Sequence, residues 1–204
     1  MHQLRLYAIE QSVYCQIVTL VLRLKNVAFQ HLETNIFASE KVKASHALLH
    51  PFKKIPVLSH GDFSLYEVVA ITRYIDESFT GQSLQPKSAK ERAKMTQIIS
   101  LMDSYAYQPM VWGIYVQCSV RPSRGEQPDL EVVVAAIAAT TLALNTLAQL
   151  LAQQSYFVSE QLTLADCHVL PMLECLGKCD QGRTLLQNYP NLMQWLSRMA
   201  QLEA

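Results

Sequence analysis

The sequence predicts a chain of two parts, an α/β domain over residues 1–79 and an all-helical domain over residues 89–204. Three observations carry this. Strand-like and helix-like patterns alternate in the order βαβαββα across the first 79 residues. From Ala89 onward no stretch shows the two-residue alternation of a strand. Between the two halves, Thr80–Ser88 shifts in composition to Gly81, Gln82, Ser83, Pro86 and Ser88, which suits a connector.

Each element has its own signal. Gln3–Ala8 alternates, with Leu4, Leu6 and Ala8 on one face of a first strand. A loop, Ile9–Ser12, leads into a helix from Val13 to Lys25 that is apolar nearly all round and therefore expected against a sheet. Lys25 and Asn26 suit its end, a cation followed by a residue tolerant of left-handed geometry. Phe29–Glu33 reads as a second strand, and strand–helix–strand implies a parallel pair. A looser polar helix is expected over Phe37–Leu49. Pro56–Ser59 and Phe63–Tyr66 flank a turn at His60-Gly61-Asp62, and a helix opens at Glu67. A proline entering a buried strand is unusual unless its missing N–H is useful, and a cis bond at Ile55-Pro56 is the useful possibility.

The second half is helical by period. Lys90–Cys118 is expected to bend or break at Pro109 and Gly113, followed by a loop over Ser119–Pro128. Leu130–Leu151 is a long apolar helix, rich in alanine where another helix can approach closely. Its Thr140, Thr141, Asn145, Thr146 and Gln149 favour a buried helix over a membrane span. Thr163 and Asp166 form a hydroxyl–acid cap, and Tyr189-Pro190-Asn191 begins a last helix with Leu192, Trp195, Leu196 and Met199 on one side.

Composition excludes several functions. Half of the 204 residues are hydrophobic and the formal net charge is zero, so the basic face that nucleic acid requires is not expected, whereas self-association is unopposed. The sequence starts on a strand without a signal peptide, which makes the cytoplasm the expected location. Five cysteines, Cys15, Cys118, Cys167, Cys175 and Cys179, are an odd number without Cys-x-x-Cys spacing, so neither a disulfide framework nor a metal site is expected. Cys175 and Cys179, four apart, are expected on one helix face as small apolar core residues.

Longer motifs bear a resemblance. His50-Pro51-Phe52-Lys53-Lys54-Ile55-Pro56-Val57-Leu58, then Glu67-Val68-Val69-Ala70-Ile71-Thr72-Arg73-Tyr74-Ile75, resembles the glutathione-binding half of the glutathione S-transferase family. That family reads Asn-Pro-x-Gly-Lys-Val-Pro-x-Leu and then Glu-Ser-x-Ala-Ile-x-x-Tyr-Leu there. Thr163–Asp166 is similar to the family's Ser/Thr-x-x-Asp cap. Tyr189-Pro190-Asn191-Leu192 with Trp195, Arg198 and Met199 is similar to its closing Tyr-Pro-x-Leu-x-x-Trp-x-x-Arg-Met. The matched pieces run from residue 3 to residue 199. The resemblance implies a thioredoxin-like N-terminal domain, a helical C-terminal domain, a homodimer, glutathione as co-substrate without metal, and a small hydrophobic electrophile as its partner.

Carried over residue by residue, the resemblance gives Ser12 the task of donating a hydrogen bond to the glutathione thiolate. With Val13-Tyr14-Cys15 behind it, Ser12 is similar to bacterial, zeta- or theta-like serine forms; serine at this place is also a plain helix cap. Ile55, before Pro56, would pair its backbone with the cysteinyl residue of the tripeptide. Lys54, with Lys53 beside it, would meet the glycyl carboxylate. Glu67 would take the γ-glutamyl ammonium, and the first N–H groups of its helix the carboxylate. Tyr105, Met110, Trp112 and Tyr115, around Pro109, would line the electrophile pocket or form an aromatic seam between helices.

Two residues depart from the pattern. Val68 stands where the family has Ser or Thr, which removes one hydrogen bond to a charged group, worth about 1.5–3 kcal/mol. Lys53 replaces a loop glycine. The first departure opens a second reading, a binding or regulatory protein on the same fold with little catalysis. A third uses Cys15, in the first turn of its helix, for glutathione-dependent reduction of disulfides or peroxides.

Overall fold

In a computed structural model of the protein, which describes residues 3–201, the first alternation becomes β1 (Leu4–Ala8), with Leu4, Leu6 and Ala8 buried and Arg5 exposed. The chain divides into two compact units, one ending at Leu84 and the other starting at Gln85. The first holds β1, α1 (Val13–Leu24), β2 (Gln30–Glu33), α2 (Glu40–His46), β3 (Val57–His60), β4 (Phe63–Tyr66) and α3 (Val68–Ser78). Its sheet has the order β2-β1-β3-β4; β1 and β2 are parallel, and β3 runs antiparallel to both β1 and β4. This is the expected βαβαββα succession.

Local chemistry explains the boundaries. α1 buries Val13, Cys15, Ile17, Val18, Leu20, Val21 and Leu22, as an almost wholly apolar helix must. α2 is shorter than its sequence suggests, because the side chains of Asn35 and Ser39 accept from the amides of Phe37 and Val42 and hold the chain in a turn up to Glu40. Asn26 lies at φ 51, the left-handed position anticipated at the end of α1. Lys25 does more than complement a helix end. It is 6 % exposed, and its Nζ sits 3.0 Å from Asp76 Oδ1, 3.2 Å from the Asp76 carbonyl and 3.0 Å from that of Gln82. Asp76 Oδ1 also accepts from the Leu84 amide at 2.8 Å. A buried charge pair must be surrounded by hydrogen bonds to offset its desolvation, and here those bonds tie α1, α3 and residues 82–84 together.

The second unit begins with α4 (Ala89–Leu101), which does not break at Pro109. It widens into π-helical segments, Met102–Ala106 and Gln108–Val120, and closes with a short α-helical turn, α5 (Arg121–Ser123). Pro109 lies inside this continuous run, near the start of the second π segment, where the shifted hydrogen bonds accommodate a residue without an N–H. The helical run therefore extends to Ser123, into the expected loop. Then follow α6 (Leu130–Leu151), α7 (Leu164–Leu176), α8 (Asp180–Leu186) and α9 (Pro190–Ala200). Among the described residues no strand follows Tyr66.

By length and composition alone α6 is long and apolar enough to cross a membrane, a test that the core helix of a globular unit passes as well. Its buried face is Val133, Ala136, Thr140, Ala143, Leu144, Leu147 and Leu151. Gly113 packs against that face so closely that a Cβ there would lie 2.3 Å from Ala136 Cβ. Small residues on both helices permit this approach. Asp166 organises the far end of the unit: it accepts from the Thr163 amide and hydroxyl, each at 2.9 Å, and from the Phe157 amide and Trp195 Nε1, each at 3.1 Å. Burial raises its carboxyl above the ordinary range, and these four donors work against that shift. Cys175 and Cys179 are both buried but do not share a helix, since α7 ends at Leu176 and Cys179 caps α8. α8 itself, seven residues long, carries too short a pattern to be read from sequence.

Candidate functional site

The sheet register decides which loops can cooperate. Tyr7 pairs with Val57, and Val57 pairs with Tyr66. The chain leaving β1 toward Ser12, the chain entering β3 through Lys54, Ile55 and Pro56, and the chain leaving β4 at Glu67 and Val68 therefore all emerge at one end of the sheet. Ser12 heads α1 with extended backbone, and its Oγ accepts from the Cys15 amide at 3.5 Å. Oγ serves there as acceptor, and the hydroxyl also reaches the Cys15 sulfur, whose pKa it lowers, so its hydrogen is one that a sulfur at this end of the sheet can receive. α1 and α3 both start at this end, bringing the positive ends of two helices to it.

The loop before β3 is shaped by its histidines. His50, 2 % exposed, accepts from the Lys53 amide with its carbonyl at 2.8 Å, and its Nδ1 accepts from the Phe52 amide at 3.2 Å. These bonds close a turn in which Lys53 lies at φ 55. A glycine enters that region freely and a lysine pays about 1–2 kcal/mol, so the departure at Lys53 has a physical cost as well as an added cation. Lys54 is exposed, Ile55 half-buried, Pro56 buried, and the Ile55-Pro56 bond is cis. The His50 ring packs 4.6 Å from that of Tyr66, and burial lowers its pKa against the pull of Glu67.

Glu67 is exposed and precedes α3 at φ 72, ψ 117, a sparsely populated conformation for a residue with a side chain. It gives α3 no side-chain cap, so the first amides of the helix are not occupied by their own N-cap. Val68, in that first turn, is 8 % exposed, and Thr72 turns its hydroxyl back to the Val68 carbonyl at 2.9 Å. Cys15 differs from its neighbours. It is 2 % exposed, and burial pushes its thiol up to about 11 although the Ser12 hydroxyl and Ile9 backbone pull the other way. A thiol so protonated at neutral pH is a poor nucleophile.

Tyr105, Met110, Trp112 and Tyr115 belong to the second unit. Tyr105 and Trp112 are exposed, Met110 is fully buried in the core, and Tyr115 is half-buried with Lys178 Nζ 6.0 Å from its ring centre. Among the described residues no cluster of His, Cys, Asp and Glu is built to hold a metal ion.

Comparison with known proteins decides the family. Residues 6–83 match the glutathione S-transferase N-terminal domain, and residues 105–203 match the glutathione S-transferase C-terminal domain. The chain belongs to the glutathione S-transferase family. Glutathione S-transferase F13 of Arabidopsis thaliana is 28 % identical over 194 residues, spanning 94 % of this chain and 88 % of the relative. Glutathione S-transferase 3 of Zea mays is 28 % identical over 175 residues, spanning 85 % and 79 %. The crystal structure of glutathione transferase F7 from Populus trichocarpa superposes with a TM-score of 0.84 at 27 % identity, covering 97 % of this chain and 93 % of that one. These relatives are plant enzymes, and the bacterial zeta- or theta-like subtype expected from Ser12 finds no support among them. What sequence reasoning missed in this glutathione S-transferase is the histidine pair beneath the loop. The interval from α2 to the proline was the only available signal, and it does not distinguish a buried histidine from a surface one.

Proposed function

We propose that this glutathione S-transferase adds the glutathione thiolate to a small hydrophobic electrophile, with the first unit holding glutathione and the second supplying the electrophile site. The observation that carries the reading is the register Tyr7–Val57–Tyr66, which gathers the loops of Ser12, Lys54–Pro56 and Glu67–Val68 at one end of the sheet. Ser12 donates its hydroxyl hydrogen to the sulfur, and the start of α1 favours the negative charge that develops there. The backbone of Ile55 pairs with the extended tripeptide. The Lys54 ammonium meets the glycyl carboxylate, the exposed Glu67 the γ-glutamyl ammonium, and the opening amides of α3 its carboxylate.

Tyr105, Trp112 and Tyr115 are the side chains with surface to offer an apolar co-substrate, whereas Met110 stands behind them in the core. Residues 80–88 join the two working parts. Five cysteines, none of them in a disulfide, suit a reducing compartment such as the cytoplasm. We assign the active form to a homodimer, which neutral net charge leaves unopposed and sedimentation measures directly.

Val68 favours one competing reading, a protein of this fold that binds without turning over. Calorimetric titration with glutathione of the wild type and Val68→Ser separates the two. Saturable binding by the wild type, strengthened about ten- to hundredfold in Val68→Ser, is the expected result. A silent wild type beside a binding Val68→Ser would overturn the enzyme reading.

A further inference from the structure

His46, the last residue of α2, is 3 % exposed, and its Nε2 lies 2.6 Å from the carbonyl oxygen of Lys54. A carbonyl only accepts, so Nε2 carries the proton. The same residue's carbonyl accepts from the amides of Leu49 at 2.9 Å and His50 at 3.0 Å. His46 thus grips the loop at both of its ends, once through its backbone and once through its ring. The ring is flanked by those of Tyr7 at 6.5 Å and His50 at 6.4 Å, which restrict its rotation.

The Lys54 carbonyl and the Ile55 N–H belong to one peptide unit. Ile55-Pro56 being the cis bond among the described residues, this unit is trans and planar, and its C=O and N–H point to opposite sides. Fixing the carbonyl on the α2 side fixes the N–H on the other. We propose that His46 is a positioning residue of the glutathione site: its Nε2–H pins the Lys54 carbonyl and so aims the Ile55 N–H at the bound tripeptide. This rests on the glutathione reading given above. The need for such a pin is visible in the turn itself, where Lys53 occupies a left-handed conformation that the loop must hold without a glycine.

The test compares His46→Phe, which keeps a flat buried ring without a donor, with His46→Gln, whose amide keeps one. Each is assayed for turnover with glutathione and a chromogenic electrophile, beside a thermal midpoint. His46→Phe is expected to raise the glutathione KM about five- to tenfold, the loss of roughly one hydrogen bond, with kcat and the electrophile KM within about twofold. His46→Gln is expected to restore most of the difference. A glutathione KM unchanged in His46→Phe, or His46→Gln as poor as His46→Phe, would overturn the role. Should His46→Phe not fold, nitrogen-15 spectra of the wild type decide: an Nε2–H tautomer slow to exchange supports the pin, and an Nδ1–H tautomer refutes it. A wild type that never saturates with glutathione removes the site reading and this role together. A saturable wild type matched by His46→Phe removes this role alone.

Discussion

Lowering the pH from 7 to 5 should weaken the second unit through one imidazole. His168 lies in α7 with no exposed surface, and burial lowers its pKa from about 6.5 to about 3. The unfolded chain binds a proton at this histidine below pH 6.5, whereas the folded chain refuses it until near pH 3. The contribution is therefore intact above the unfolded value and is lost progressively as pH falls through that window, at about 1.4 kcal/mol per unit. Between pH 7 and pH 5 the loss comes to about 2 kcal/mol, or roughly 4–8 °C in thermal midpoint for a chain of this size. Other groups titrate too. Asp166, raised by burial, works with the opposite sign, gaining stability as pH falls through its folded value. A difference of differences isolates His168: melts of the wild type and His168→Gln at both pH values, with the wild type falling further by the amount stated. Parallel pH dependence in the two proteins would refute the reasoning.

Three further outcomes are expected. Ser12→Ala should lose most turnover as well as about 1 kcal/mol of helix capping, while Cys15→Ser should keep turnover, because a thiol held near 11 is not the nucleophile; the reverse pattern in initial rates would restore the reductase reading. Gly113→Ala should cost about 1–3 kcal/mol in urea unfolding, since its methyl overlaps Ala136 Cβ at 2.3 Å, and an unchanged midpoint would show that the two helices separate freely. Lys53→Gly should stabilise the first unit by about 1 kcal/mol through relief of its φ of 55; an unchanged or lower urea midpoint would refute the strain argument.

Much of the fold was legible because it rests on local pattern. The alternation of Leu4, Leu6 and Ala8, the apolar run of α1, the Thr163–Asp166 cap and the stripe of Leu192, Trp195 and Met199 each report burial through a periodicity of a few residues. Where an element is short or unusual the signal fails. α8 has seven residues, and Met102–Val120 keeps the period of a helix while its hydrogen bonds shift register, so Pro109 suggested a break that widening avoids. At the candidate site the sequence supplied residue types in order, Ser12, the Lys54–Pro56 loop and Glu67–Val68, with Val68 and Lys53 standing out as departures.

The sequence by itself determined the two-part architecture, the family and the chemistry available at each loop, since these depend on composition and spacing along the chain. Only the tertiary structure decided that Lys25 meets Asp76 in the interior, that Cys15 is too buried to ionise, that Met110 is core, and that His46 holds Lys54. The physical reason is the same in each case. Burial and hydrogen bonding are properties of the environment that distant residues create, and a side chain carries no mark in sequence of what will fold over it.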